Sequence, residues 1–577
     1  MLSDINRLIS RGHYLTAIDR LKVLGDSSYS DRRVQRLLAL ALLRIGYYHE
    51  AVELLKSEFQ RDCPDQEILA MLGSAYKQLW LANRRESRNL SQSIRFYKHS
   101  YKLSGEYWAG INAATLSLVA GDRSVARSLA ERVIDKCWAE YGSRVTQSSV
   151  WIPATIAEAF LIRGDIGRAR TWYKKAAGHL RGQIGRVKSI RVNADLLLES
   201  MDLLDEERCP LEEAIPRVRL SLFVFAGESG KSSLGSATHK RDYLKLKRKI
   251  KKKIVEQRVD MAISTLDSLQ DHAFLSAFYE LKRPYHIVSV RGPDSGYLSE
   301  DRPWLVPQTD ALVCSAEDTD SISIFPRKQR AESMGRHLHR ARLLTGLSLI
   351  KGRQFDADFL PIVCCPHSTH TAEAVVSCIK SSGHLPTLID TPRTRGVRES
   401  FSPAGFSRLR VAKHPAVMAV VALSYSLIEE DINSPEGLLG FAGYFQKAVA
   451  MFSSEIAEHV ICQDSAFIVF RDILTVQKML KHLSVNAPKR LTAVGRLLAR
   501  GASNRGSISG VKCLSWEIVD ALAIARKLDH GEVYCTQCLL SEMALHGPEL
   551  FHYSYAGKIN LQKSRMQYSL FRIQGEV

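Results

Sequence analysis

Gly227-Glu228-Ser229-Gly230-Lys231-Ser232 is the segment of this 577-residue chain whose residue types and spacing best suit a phosphate. In a phosphate loop, backbone N–H groups surround the anion while a lysine and a hydroxyl serve phosphate and magnesium. That chemistry nominates Gly227, Lys231 and Ser232 as cofactor-binding residues. The full pattern asks for glycine at position 225, where Phe225 stands, and residues 233–239 do not open a convincing helix; a glycine turn that ends a strand is the favoured reading. Cys364, Cys365, His367 and His370 offer zinc-binding atoms, and Cys535 with Cys538 forms a C-x-x-C. Neither group completes a paired metal pattern, so buried structural cysteines are expected. The formal charge of +19 is densest at Lys245, Lys247, Arg248, Lys249, Lys251, Lys252 and Lys253. No zinc-finger spacing, RNP-type aromatic motif or convincing helix-turn-helix accompanies this run, so it reads as a solvated helix face and nucleic acid is disfavoured as a partner.

These groups need a framework, and the N-terminal third announces one. Glycine is followed five residues later by alanine at Gly12/Ala17, Gly46/Ala51, Gly121/Ala126 and Gly164/Ala169. The spacing of the first two copies is that of tetratricopeptide repeats, in which a small residue turns two antiparallel helices and an alanine lets them pack closely. Residues 1–205 are therefore expected to form an all-α solenoid. Leu72, Gly73 and Tyr76 supply the L-G-x-x-Y part of another copy, with an insertion expected around Ala82 to Gln92. Trp151, Ala159, Gly164, Ala169 and Tyr173 mark the last well-formed unit as packing positions. Solenoids of this kind present a concave surface to peptides, so a protein or peptide partner is expected.

Glu206 to Pro216 reads as a linker. Beyond it, Arg217 to Ala226 is a strand, Ala262 to Tyr279 a helix and His286 to Val290 a strand, which together imply a parallel α/β sheet. Trp304 to Pro307 and a strand at Ala311 to Ser315 continue it, followed by a helix from Arg330 to Leu347 and a strand from Phe359 to Cys364. This is a Rossmann-like α/β domain over 217–395. A third, α/β block over 408–577 contains an apolar β-rich run at Pro415 to Leu427 and a helix at Gly437 to Ala457. Two short apolar runs in Val460 to Phe470 flank Gln463 and Asp464. Leu483 to Gly510 is expected to be an exposed excursion, Trp516 to Lys527 a helix, Gly531 to Tyr534 a strand, and Tyr555 to Leu561 with Tyr568 to Ile573 a terminal hairpin. Three or four domains suit the length. Eleven cysteines without a secretory leader point to a cytoplasmic protein. The longest apolar stretch, Ala416 to Leu423, is far short of the roughly 20 residues a membrane helix needs, so no membrane span is expected.

The order Ala416–Ser426, Cys462–Phe470, Gly531-Glu-Val-Tyr-Cys535, then Tyr555–Lys563 before Tyr568, resembles a class III nucleotide cyclase domain, which implies a ferredoxin-like sheet. The family holds two metal ions, Mg or Mn, with two aspartates that activate a ribose hydroxyl and steady the triphosphate. Asp464 matches the second aspartate, so the resemblance implies it as the metal residue; the alternative reading of Asp464 is a plain turn residue between two strands. The first falls on Ala422, which cannot coordinate a cation. The family's asparagine and arginine fall on Val519 and Ala523, while Asp520 and Arg526 lie nearby at the wrong separation. The middle block, with Phe225, Gly227, the Ser264–Glu280 helix and the later Arg336, His339 and Arg340, resembles nucleotide-sensing domains of the SLOG type. Bacterial proteins with TRAF-binding-type tetratricopeptide repeats join such domains in this order. The resemblance implies a signalling scaffold with protein-binding repeats, a nucleotide-sensing middle and a non-catalytic cyclase-like end. Alternatives are an active cyclase completed by a partner chain, a homodimer being unable to supply a residue that both copies lack, and a basic nucleic-acid adaptor whose binding falls steeply with salt.

Overall fold

The computed structural model describes residues 2–10, 17–18, 20–21, 24, 32–45, 47–61, 65–141, 151–179, 184–226, 236–289, 305–318, 322–324, 333–355, 357–365, 370–390, 419–425, 435–462, 465–488, 490–498, 516–528, 531–546, 552–561 and 566–574. The chain divides into two compact units, Met1–Val218 with Phe355–Asp358, and Arg219–Gln354 with Phe359–Val577.

The first unit is helical: α1 (Leu2–Ser10), α2 (Arg32–Ile45), α3 (Tyr48–Arg61), α4 (Gln66–Ala82), α5 (Ser87–Ser104), α6 (Tyr107–Val119), α7 (Arg123–Tyr141), α8 (Trp151–Arg163), α9 (Ile166–His179), α10 (Ile184–Glu199) and α11 (Asp205–Ala214). Two turns show why the glycine-to-alanine spacing builds hairpins. Gly121 and Gly164 adopt φ +87 and +85, the left-handed conformation in which a Cβ is strained. The next residue then caps the following helix, as Asp122 accepts from the Val125 N–H at 3.2 Å and Asp165 from the Arg168 N–H at 3.1 Å. Ala17, Ala51, Ala126 and Ala169 are all completely buried. Leu72 and Tyr76 join a core with Phe96, where the Tyr76 and Phe96 rings stack at 5.6 Å.

Three expectations fail here. No insertion separates α4 from α5, which are joined by residues 83–86; the period slips because these helices run to 17 and 18 residues. Trp151 is 36% exposed rather than buried. The expected linker is α11, whose first turn holds Asp205, Glu206 and Glu207 against the positive end of the helix and whose Arg208 meets Glu212 at 2.8 Å, which together tolerate Pro210.

The second unit contains two sheets. The first comprises β1 (Val218–Phe225), α12 (Ser236–Glu256), β2 (Met261–Ser264), α13 (Leu269–Glu280), β3 (Tyr285–Ser289), α14 (Val306–Asp318), β4 (Ile322–Ile324), α15 (Ser333–Phe355), β5 (Ala357–Cys365), α16 (His370–Ser381) and β6 (Thr387–Asp390). Its order is β4-β3-β2-β1-β5-β6, with parallel registers for β1–β2, β2–β3, β3–β4 and β5–β6. The core against it is aromatic, with Phe223 stacked on Phe274 at 4.6 Å. The expected helix at Ala262–Tyr279 is a strand followed by a helix, because Met261–Ser264 is wholly buried and Ser268 starts α13 with a capping box. The expected strand at Ala311–Ser315 lies inside α14, whose Leu312 and Ala316 are buried on one helical face together with Leu305 just before the helix.

The second sheet comprises β7 (Ala419–Tyr425), α17 (Pro435–Met451), β8 (Ile456–Cys462), β9 (Ser465–Phe470), α18 (Ile473–Asn486), β10 (Leu491–Leu497), α19 (Trp516–Leu528), β11 (Val533–Thr536), α20 (Gln537–Ala544), β12 (His552–Leu561) and β13 (Met566–Gln574), in the order β12-β13-β11-β10-β7-β9-β8. Only β10–β11 is parallel among the registers described. The expected excursion at Leu483–Gly510 is overturned over Leu491–Leu497, an entirely buried strand between β7 and β11. Its Arg496 misleads a sequence reader, since that cation is neutralised inside the fold by Asp520 at 2.9 Å.

Candidate functional site

In the first unit the first helices of successive pairs share one polar seam. Lys77 of α4 donates to Asn112 of α6 at 3.1 Å and to Asn193 of α10, and Asn193 donates to Glu158 of α8 at 3.1 Å. Lys77, Glu158 and Asn193 are each less than a tenth exposed. Burial pushes the Lys77 ammonium below its ordinary value and the Glu158 carboxyl above its own, each opposed by the other's charge. The Tyr173 hydroxyl of α9 is buried, raised by burial and by Glu158 and Asp195, and has no hydrogen-bond partner among the described residues. At the seam's end Arg84, in the turn after α4, meets Glu199 of α10 at 2.6 Å. Sequence reasoning missed this group. The available signal was a separation of 35 residues, near the repeat length, between Lys77 and Asn112 and again between Glu158 and Asn193.

In the second unit, Gly227, Lys231 and Ser232 lie outside the described residues, between the end of β1 and the start of α12. Phe225, the departure from the phosphate-loop pattern, packs with Tyr243 and Leu246 of α12 in the core. The start of α13 is closed to anions. Ser268 accepts from the Asp271 N–H at 3.0 Å, and Asp271 accepts from Thr265 at 2.8 Å and from the Ser268 N–H at 3.1 Å. Burial raises Asp271 to about 6, with Arg340 acting against the shift and Asp267 with it. Arg340 bonds Asp267 at 3.2 Å. The buried His272 faces the Tyr243 hydroxyl at 3.0 Å and is lowered to about 4 by burial and by Lys247. The lysine run lies along α12, where Lys247 and Lys251 both hold Glu280, at 2.5 and 3.2 Å.

Asp464 also lies outside the described residues, directly between β8 and β9. Ala422 sits opposite Phe467 in the register and is buried with Ile518 and Ala521 of α19. Asp520 is committed to Arg496 at 2.9 Å and Tyr568 at 2.5 Å, and Arg526 donates to Ser465 at 2.8 Å. The described β7 carries no carboxylate, and its Ala422 faces hydrocarbon, so these residues do not fit a two-metal centre. Of the cysteines, Cys364 and Cys535 are buried, and burial pushes the Cys535 thiol up and that of Cys538 to about 12. The side chains of Cys365, His367 and His370 lie outside the described residues. Among the described residues no three His, Cys, Asp or Glu gather where they could hold a metal ion.

The two sheets meet through α15 and α20. Arg342 donates to Glu542 through Nη2 at 2.8 Å and Nε at 3.2 Å. A Cβ on Gly346 would stand 1.9 Å from the Ser541 carbonyl oxygen, so only glycine permits this approach. His286 of β3 meets Ser323 of β4 at 2.8 Å, and Ser323 donates to Gln537 of α20 at 3.0 Å. Burial pushes His286 well below its ordinary value, aided by Lys351 and Lys558.

Residues 13–117 match the family model described as Tetratricopeptide Repeats-Sensor. No curated protein matches the chain. Among solved structures, a thermophilic TPR protein of Thermus thermophilus aligns at 19% identity and a TM-score of 0.27, covering 34% of this chain and 97% of that one. The MamA protein of Desulfovibrio magneticus aligns at 16% identity and a TM-score of 0.21, covering 32% and 93%. No helix among the described residues is long and apolar enough to cross a membrane. The N-terminal region is a tetratricopeptide-repeat array, of the kind that generally mediates protein interactions.

Proposed function

We propose that the protein is a signalling scaffold. Its repeats (1–205) hold a protein partner, its middle region (217–395) is a Rossmann-like, SLOG-like nucleotide sensor, and its last region (408–577) is a cyclase-like module without efficient catalysis. The observation that carries the middle assignment is strand order. Successive strands step outward from β1 to β4, then the chain returns to the other side of β1 to add β5 and β6. Open parallel sheets take ligands at the carboxyl ends of the strands where the order reverses, here between β1 and β5. Gly227, Lys231 and Ser232 follow β1 directly at that point in the chain. The capping of α13 by its own Asp271 supports the β1–α12 connection over the start of α13 as the place for the anion.

The cyclase-like reading is supported by β7-α17-β8-β9-α18-β10 with spatial order β10-β7-β9-β8, the ferredoxin-like arrangement, followed by α19, β11 and the β12–β13 hairpin. The buried Ala422 argues against turnover. Purified protein given ATP or GTP with manganese is expected to yield no cyclic nucleotide. Turnover abolished by Asp464→Ala would overturn the inert-module reading. Calorimetric titration with the same nucleotides tests the sensor, and Lys231→Ala should weaken binding at least about tenfold. Equal affinity in that variant would remove the loop from the site.

A further inference from the structure

In a regular solenoid each repeat touches its neighbours alone. The helix α10 departs from that rule. It packs against both α6 and α8, while its Asn193 reaches Lys77 on α4 and its Glu199 reaches Arg84 in the turn that follows α4. One helix thus spans the first helices of three successive pairs, while α11 packs on α9. Lying across that face, α10 occupies the surface on which such arrays receive peptides. The composition of the contact agrees. Val187, Ile190, Ala194 and Leu196–Leu198 of α10 are buried, and among them stands a polar group of an ammonium, a carboxyl and amides. Asn193 uses both ends of its amide, the oxygen toward Lys77 and the nitrogen toward Glu158. A side chain that donates and accepts at once is how a built recognition site reads a ligand. Burying these groups together is costly unless every one is paired, which makes the position demanding of its occupant while contributing little net holding energy.

We propose that α10 is a tethered occupant of the repeat array's inner face, and that the partner bound there is an amphipathic helix that displaces it. That helix sets an Asn or Gln between Lys77 and Glu158 and an acidic residue against Arg84. The inference rests on the reading of the array as a protein-binding element and names the site and chemistry of its ligand. In the resting protein α10 satisfies Lys77 and Glu158 and withholds the face, so partner binding requires α10 to leave.

The test uses the full chain and a fluorescent peptide of residues 184–199. Asn193→Ala with Glu199→Arg removes both polar anchors of the tethered helix and leaves the receiving residues intact. This variant should bind the peptide at least about tenfold more tightly than wild type, and a peptide carrying the same two changes should not bind. Equal peptide affinity in wild type and variant would overturn the proposal. Hydrogen exchange on wild-type protein provides a readout independent of any substitution. Amides of α10 should open at lower free energy than those of α8, whereas exchange of both only on global unfolding would make α10 a fixed part of the core. If the variant binds the peptide as expected but no foreign amphipathic helix competes for the face, α10 stands as a tethered occupant while the displacing partner, and with it the scaffold reading, fails.

Discussion

Each unit buries an acidic and a basic group, and the two arrangements differ in what lies between the charges. In the second unit, Arg342 bonds Glu542 directly, the carboxylate is wholly buried, and Gly346 presses its backbone on Ser541. In the first unit, Lys77 reaches Glu158 only through the amide of Asn193. A guanidinium cannot shed its charge, so its carboxylate must remain opposite it. An ammonium and a carboxyl held apart by an amide can each move toward neutrality, and both are pushed that way. The first arrangement suits a permanent joint, and the second suits a contact that is remade.

The largest effect should come from the joint. Arg342→Met leaves Glu542 buried without its cation and should cost about 3–5 kcal/mol of second-unit stability. The double variant with Glu542→Leu should recover most of that loss. Urea unfolding read by hydrogen exchange at α20 and β10 would check both, and a cost below about 1 kcal/mol for the single variant would erase the contrast with the seam.

Next in size is Gly346→Ala. Its new Cβ would meet a backbone oxygen, which cannot rotate away, and overpacking of this kind costs about 1–3 kcal/mol. The same measurement should show α20 losing protection while the helices of the first unit are unchanged. Loss of protection in α4 and α8 as well would mean that the joint is not local to the second unit.

Such joints explain what a sequence reader could see. The Gly121-Asp122 and Gly164-Asp165 turns were legible because a left-handed residue followed by a helix cap has few chemical solutions. Most strands were legible as short apolar runs, but α14 was not, because a brief apolar run does not reveal its period. Strand β10 was lost because Arg496 reads as surface until Asp520 is placed beside it. The seam was lost for the same reason. Lysine, glutamate and asparagine on helices read as solvated positions, whereas Lys77, Glu158 and Asn193 are buried in the fold. The phosphate-loop and Asp464 assignments rest on sequence order beside strands whose positions are now described.

The smallest effect sharpens the comparison most. Lys77→Met removes a donor from two amide oxygens and should cost only about 1 kcal/mol near neutral pH, because Glu158 can keep its proton when the ammonium is gone. The pH dependence separates this from a true ion pair. Burial holds the Glu158 proton above its ordinary 4.5, so the unfolded chain releases that proton first and first-unit stability falls as pH rises through and beyond that value. Burial strips Lys77 below its ordinary 10.5, so at alkaline pH the unfolded chain holds the extra proton and stability climbs toward that value. Wild type should therefore show a trough between the two values. In Lys77→Met the descending limb should persist and the alkaline climb should vanish. Thermal unfolding of the first unit across this range would show it, and a flat wild-type profile with a neutral-pH cost near that of Arg342→Met would mean that the seam is a joint like the other.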